Sequence, residues 1–155
     1  MHLDFGWLGS LYLLSVSWPL AVIDLRERRL PNKLTLPAFP IALVGQLVAV
    51  ALGAPADRCL AAVLSAVIAF ALCLVLNRRA GLGMGDVKLI AAIALCLAWF
   101  SPLLPAIAIL IGLVIAGLVA IAMVVLRKAS MGSSIALGPY LLIGFAFGFI
   151  AQGWS

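Results

Sequence analysis

The chain has 155 residues, of which 66% are apolar and only 10% charged, with a mean hydropathy of +1.30. Globular domains hold roughly 45–50% apolar and about 25% charged residues, so a water-soluble core, a Rossmann unit or a separate ligand-binding domain is excluded. The net charge of +5 implies no nucleic acid, because lysine and arginine of a membrane protein collect in cytoplasmic loops against anionic headgroups.

The first apolar stretch begins at Phe5. It is preceded by His2 and Asp4 instead of a basic segment and is followed by no small-residue cleavage site, so it reads as a retained helix and not a signal peptide. Charge and proline clusters then divide the chain into six apolar segments, Phe5 to Ile23, Leu34 to Ala54, Cys59 to Leu76, Leu82 to Phe100, Leu103 to Leu126 and Ile135 to Ile150. A spanning helix takes about 20 apolar residues, so six of them use roughly 120 positions and leave only loops. The predicted fold is an all-α membrane protein, a polytopic bundle of about six transmembrane helices forming a single domain over residues 1–155. Continuous apolar runs without the alternation of barrel strands exclude a transmembrane β-barrel.

The fourth segment is the least regular, because Gly81, Gly83, Gly85, Asp86 and Lys88 occupy its first turns. It is either a short helix or one whose polar start faces protein and water. Pro19, Pro37 and Pro40 lie within segments and are expected to kink them, which a bundle tolerates by re-satisfying freed carbonyls. Cys59, Cys73 and Cys96 form no C-x-x-C pair, and the expected role of all three is small apolar packing.

Nine of the ten basic residues fall on one side of this arrangement. Arg26, Arg28, Arg29 and Lys33 follow the first span, Arg78, Arg79 and Lys88 flank the third and fourth, Arg127 and Lys128 follow the fifth, and Arg58 alone lies opposite. The positive-inside rule makes that side cytoplasmic, with both termini outside and the lipid bilayer as solvent for the rest. Trp7, Trp99 and Trp154 are expected in the outer interfacial belt.

Five acidic residues complete the charge set. Asp4 and Asp57 belong to outer flanks, and Glu27 sits among arginines, where a surface ion pair of little worth is the natural reading. Asp24 ends the first span directly after Ala21, Val22 and Ile23, and Asp86 lies in the glycine-rich start of the fourth. Both belong to the cytoplasmic depth. Ionisable groups at the edge of the hydrocarbon mark functional sites by default; the competing reading is structural pairing, Asp24 with Arg28 or Asp86 with Lys88. From charge placement the two readings stand level.

Two carboxyls sharing a site suit one reaction. Repulsion holds one protonated while the other ionises; the ionised group activates water and the protonated one donates to a scissile carbonyl. This chemistry takes no metal or cofactor. His2 is the only histidine, H-E-x-x-H is absent, and the serines lack a partner base, so other hydrolytic sets do not assemble. Gly81, Gly83 and Gly85 let a substrate strand or neighbouring helix approach the Asp86 backbone closely.

Three motifs in order resemble the type IV prepilin peptidase family, membrane aspartic proteases of the G-x-G-D kind. Gly83 to Leu89 is similar to its G-x-G-D-x-K-L signature. Asp24 followed by Leu30, Pro31, Asn32, Lys33, Leu34 and Thr35 is similar to D-x5-I-P-N-x-L-T, with Leu30 in place of isoleucine. Leu137, Gly138, Pro139 and Tyr140 are similar to the G-P-[FY] element. The resemblance implies Asp24 and Asp86 as catalytic pair, Gly83, Gly85, Lys88, Pro31, Asn32, Gly138 and Pro139 as supporting residues, and a prepilin or pseudopilin substrate. That substrate is cut after its short basic leader at the cytoplasmic face of the bacterial inner membrane. Long members carry a zinc-binding domain with two C-x-x-C pairs and methylate the new terminus. The expectation here is the short form found with tight-adherence (Flp) pili, without methyl transfer.

Other readings place two acids in a bundle as well, a small proton-coupled transporter or a non-catalytic subunit of a secretion machine. Against transport stand the missing inverted repeat and the position of both acids at one face. Pro31 and Asn32 are suited to a turn entering the second span, Lys88 is placed to meet phospholipid or an aspartate, and the Gly144 to Gly148 G-x-x-x-G is expected to pack internally.

Overall fold

In the computed structural model, which describes residues 5–126 and 136–152, all regular structure is helical. A single 3-10 turn, Phe5–Trp7, leads into α1 (Leu8–Glu27), followed by the one-turn α2 (Asn32–Thr35), α3 (Ala38–Ala51), α4 (Ala56–Ala80), α5 (Met84–Ala98), α6 (Leu104–Val125) and α7 (Gly138–Gln152). Four stretches are long and apolar enough to cross a membrane, Phe5–Glu27, Asn32–Ala51, Ala56–Arg79 and Leu104–Val125. α5 and α7 have 15 residues each, about 22 Å at 1.5 Å per residue.

Local chemistry sets the boundaries. α1 ends where Arg28 turns left-handed at φ 52° and returns its N–H to the Asp24 carbonyl at 2.8 Å, the simple αL stop. Pro31, with φ fixed by its ring, opens α2, its carbonyl accepting the Leu34 and Thr35 amides and the Thr35 hydroxyl. Pro37 lies between α2 and α3, so the expected second span is two helical pieces and Pro37 is a junction, not a kink inside a helix. α4 runs beyond the expected Cys59 to Leu76 at both ends, from after Pro55 to Gly81, whose φ of 70° closes it.

α5 is the hub. It packs against every other helix, and Val87 and all residues from Leu89 to Trp99 are buried. A helix apolar on all faces belongs inside a bundle, so the fourth segment is a short central helix shielded by its neighbours. This corrects the expectation for Trp99. Its indole is fully buried beside Gly6, where a Cβ would meet the ring, and is no part of an interfacial belt. Trp7 is partly exposed and meets Phe100 and Phe149 edge-on, with centroids 5.4 and 5.5 Å away. Asp4, Trp154 and the Arg127–Lys128 pair lie outside the described residues.

Outward-facing apolar side chains such as Trp18, Leu47, Leu64, Leu72, Leu118 and Ile121 provide the lipid-exposed shell of a membrane bundle. Gly144 and Gly148 do pack internally: a Cβ on Gly144 would strike the Ala108 carbonyl of α6, and one on Gly148 would stand 3.0 Å from Ala108 Cβ and Leu97 Cδ1. Cys73 and Cys96 are buried and Cys59 half-buried, all as free thiols.

The alternating helix directions bring the end of α1, all of α2, the end of α4 and the starts of α5 and α7 to one end of the bundle. That end holds Asp24, Asp86 and every described basic residue except Arg58.

Candidate active site

A cleft of about 320 Å³ opens at this end. Its walls are Asp24, Arg28, Arg29 and Leu30 from α1 and the turn after it, Asn32 from α2, and Gly83, Met84, Gly85, Asp86 and Lys88 from the start of α5. Residues 62 positions apart in the chain thus share one cleft, and Asp86 lies within electrostatic reach of Asp24.

The two carboxyls are held differently. Asp24, three residues from the end of α1, is only 4% exposed, and its Oδ2 accepts the backbone N–H of Gly138 at 2.9 Å. Gly138 is the first residue of α7, where amide N–H groups lack intrahelical partners and point toward an anion. Glycine leaves room for this approach, since a Cβ there would stand 2.6 Å from Asp24 Oδ2 and 3.2 Å from its Cγ and would push the carboxyl aside. Asp86 is half-buried in the first turn of α5. Its carboxyl folds back over Gly83, where a Cβ would come within 2.9 Å of Asp86 Oδ2.

Leu30 joins the pieces. Buried at 9% exposure, it lies against Gly85, whose Cβ would approach Leu30 Cβ at 2.8 Å, and against Gly138, whose Cβ would approach Leu30 Cδ2 at 3.2 Å. The side chain therefore wedges between the starts of α5 and α7, and both glycines exist in the space it needs. Lys88 pairs with neither aspartate; its Nζ donates to Asn32 Oδ1 at 2.9 Å. Tyr12 Oη donates to the Leu34 carbonyl at 3.0 Å and anchors α2 to α1.

The catalytic and supporting residues that the resemblance implies fall in or beside this region. Asp24, Asp86, Gly83, Gly85, Lys88 and Asn32 line the cleft, Pro31 opens α2, Gly138 bonds Asp24, and Pro139 is buried in the first turn of α7. Sequence reasoning passed over Leu30 as a wedge and Arg28 and Arg29 as cleft walls. The signal was the placement of small residues opposite one large apolar side chain, which becomes readable only once the helices are paired. Among the described residues no group of three or more His, Cys, Asp or Glu side chains is placed to hold a metal ion.

Comparison with known proteins agrees with the motifs. The model of the type IV leader peptidase family matches residues 11–121. The chain belongs to that family. It is 35% identical over 150 residues to the prepilin leader peptidase/N-methyltransferase of Pectobacterium carotovorum subsp. carotovorum, covering 95% of this chain and 52% of that protein. To the protein so named from Aeromonas hydrophila it is 35% identical over 163 residues, covering 100% and 53%, and to that of Pseudomonas putida 31% over 151 residues, covering 94% and 50%. The chain thus spans about half the length of the curated relatives it matches. No solved structure matches it significantly.

Proposed function

We propose that this chain is a membrane-embedded aspartic endopeptidase that removes the leader of prepilins or pseudopilins of the Flp type, with Asp24 and Asp86 as the catalytic pair and residues 1–155 acting as one peptidase domain. The single observation that carries the reading is the meeting of Asp24 and Asp86 in one cleft at one end of the bundle. Transport would call for acids near the midplane instead.

Hydrolysis needs a base and an acid within reach of one peptide bond. The ionised member of the pair removes a proton from water as the water oxygen attacks the carbonyl carbon. The protonated member gives its proton to the carbonyl oxygen, forming a neutral gem-diol. The first aspartate then passes its proton to the leaving nitrogen as the C–N bond breaks, and the second recovers a proton from the diol. One water is consumed and both carboxyls return to their starting states. The glycine-lined rim at Gly83 and Gly85 leaves room for an extended substrate backbone beside Asp86. Arg28, Arg29 and Lys88 supply positive charge around the cleft, which favours the ionised form of the member that acts as base.

The concentration of basic residues at this end supports a site on the cytoplasmic face of the bacterial inner membrane, with both termini on the far side. The test is co-expression with a prepilin from the same genome. Shortening of the precursor by its leader, dependent on this chain, is the expected outcome; an unprocessed precursor beside well-inserted protein would favour a non-catalytic assembly role.

A further inference from the structure

The two aspartates are not equivalent, and the difference lies in what each can accept. An N–H can donate only to a lone pair, so the Gly138 amide bound to Asp24 Oδ2 at 2.9 Å is strongest toward a carboxylate. Among the described residues only Asp24 of the pair receives a backbone N–H. It does so in a buried setting, where a charge-assisted bond is not exchanged with water. Asp86 occupies the wetter wall of the cleft.

We propose that the start of α7 fixes the division of labour: Gly138 is a positioning residue that keeps Asp24 as the ionised base, leaving Asp86 to carry the shared proton as the acid. Two features of the chain serve this single contact. Glycine at position 138 leaves the approach to Asp24 open, and Leu30 Cδ2 packs beside the same open face of the first residue of α7. Water attack then begins at Asp24, deep in the cleft, and the carbonyl oxygen of the substrate is protonated from Asp86 on the α5 wall. This assignment rests on the peptidase reading above.

The charged and titratable groups around the pair are Arg28 and Arg29 after α1, Asp86 and Lys88 on α5, and Cys73 on α4, which lies within electrostatic reach of Asp86. α2 offers the neutral Asn32 to the cleft, and Tyr140 of α7 is not among the cleft walls. Gly138 is therefore a place where the pair can be unbalanced without adding or removing a charge.

The decisive variant replaces Gly138 by glycolic acid, turning its amide into an ester. The N–H is lost and the shape is kept. The full-length protein, reconstituted in lipid, is assayed for prepilin cleavage across pH. The expected result is a roughly tenfold lower rate below the optimum. The acid limb of the profile moves to higher pH by about one unit, because the base loses the donor that favours its ionised form, while the alkaline limb stays in place. Gly138→Ala, whose Cβ displaces Asp24 Oδ2, is read for the same limb if the ester chain inserts poorly. Gly144→Ala, which disturbs the seating of α7 on α6 far from the cleft, is expected to lower the amount of protein without moving either limb. A profile that superimposes on wild type, or a shift confined to the alkaline limb, overturns the assignment. Absence of cleavage by the wild-type chain would instead overturn the peptidase reading itself.

Discussion

Lys88 Nζ donates to Asn32 Oδ1 at 2.9 Å and links the first turns of α5 to the one-turn helix α2 across 56 residues of sequence. Both residues line the cleft that holds Asp24 and Asp86. Asn32 and Lys88, which belong to separate sequence motifs, are thereby the two halves of one strap. Lys88→Met and Asn32→Ala are each expected to slow cleavage by about tenfold, the scale of one charge-assisted hydrogen bond. The double variant should be little worse than either single one, since both remove the same bond. Fully multiplicative losses in a double-mutant cycle would show that the two residues act separately.

Gly85→Ala places a Cβ 2.8 Å from Leu30 Cβ and 3.4 Å from the Leu30 amide nitrogen, so the start of α5 must retreat from the turn after α1. A displacement near 1 Å at a catalytic group lowers rates by on the order of a hundredfold. Cleavage by Gly85→Ala is expected to fall on that scale while membrane-inserted protein persists. Gly117→Ala on α6 meets nothing within 4 Å and is expected to leave cleavage unchanged. Equal activity of the two variants, normalised to inserted protein, would contradict the wedge described for Leu30.

Gln46 is fully buried in α3, its Nε2 donating to the Leu95 carbonyl at 2.9 Å while its Oε1 has no hydrogen-bond partner. Replacing it by leucine of similar volume removes one bond and one unsatisfied oxygen together, two effects of opposite sign. Gln46→Leu is expected to change stability by less than about 1 kcal/mol, whereas Gln46→Ala, which opens a void beside α5, should cost about 2 kcal/mol or more. Thermal unfolding in detergent micelles ranks them; a larger loss for leucine than for alanine would contradict this reading of the core.

Much of this architecture is legible in the sequence because membrane-spanning helices announce themselves by continuous apolar runs. The long α1, α4 and α6 fall where those runs predict them. α5 was harder, because hydropathy cannot separate a helix surrounded by lipid from one surrounded by protein. The same ambiguity placed Trp99 at an interface when it fills the space beside Gly6. The carboxylates stood out because only five acidic residues exist in the chain. Gly138 as partner of Asp24 was visible only as a motif. A backbone N–H carries no residue-specific signature, and the 114-residue separation of the bond is set by how α7 returns to α1.

The proposed orientation makes its own demand. Reporter insertions after Arg29 and after Arg79 are expected to report the cytoplasm, and insertion at Gly53, in the turn between α3 and α4, the opposite side. The Arg127–Lys128 segment is expected inside as well. A periplasmic signal from either Arg29 or Arg79 would invert the bundle and remove the site from a cytoplasmic leader.

The most direct measurement is the ratio of precursor to mature prepilin in cells carrying Asp24→Asn, Asp86→Asn or both, alongside the amount of each variant in the membrane. Asparagine keeps the shape and removes either base or proton donor. Each single change is expected to abolish detectable cleavage, and the double change to be no worse, because the pair acts as a unit. Insertion should persist, since a carboxylate at the bilayer edge is unfavourable and its loss relieves that burden. Asp57→Asn, at the far end of the bundle, should process normally. Efficient cleavage by Asp86→Asn or Asp24→Asn at wild-type abundance would contradict the two-aspartate mechanism.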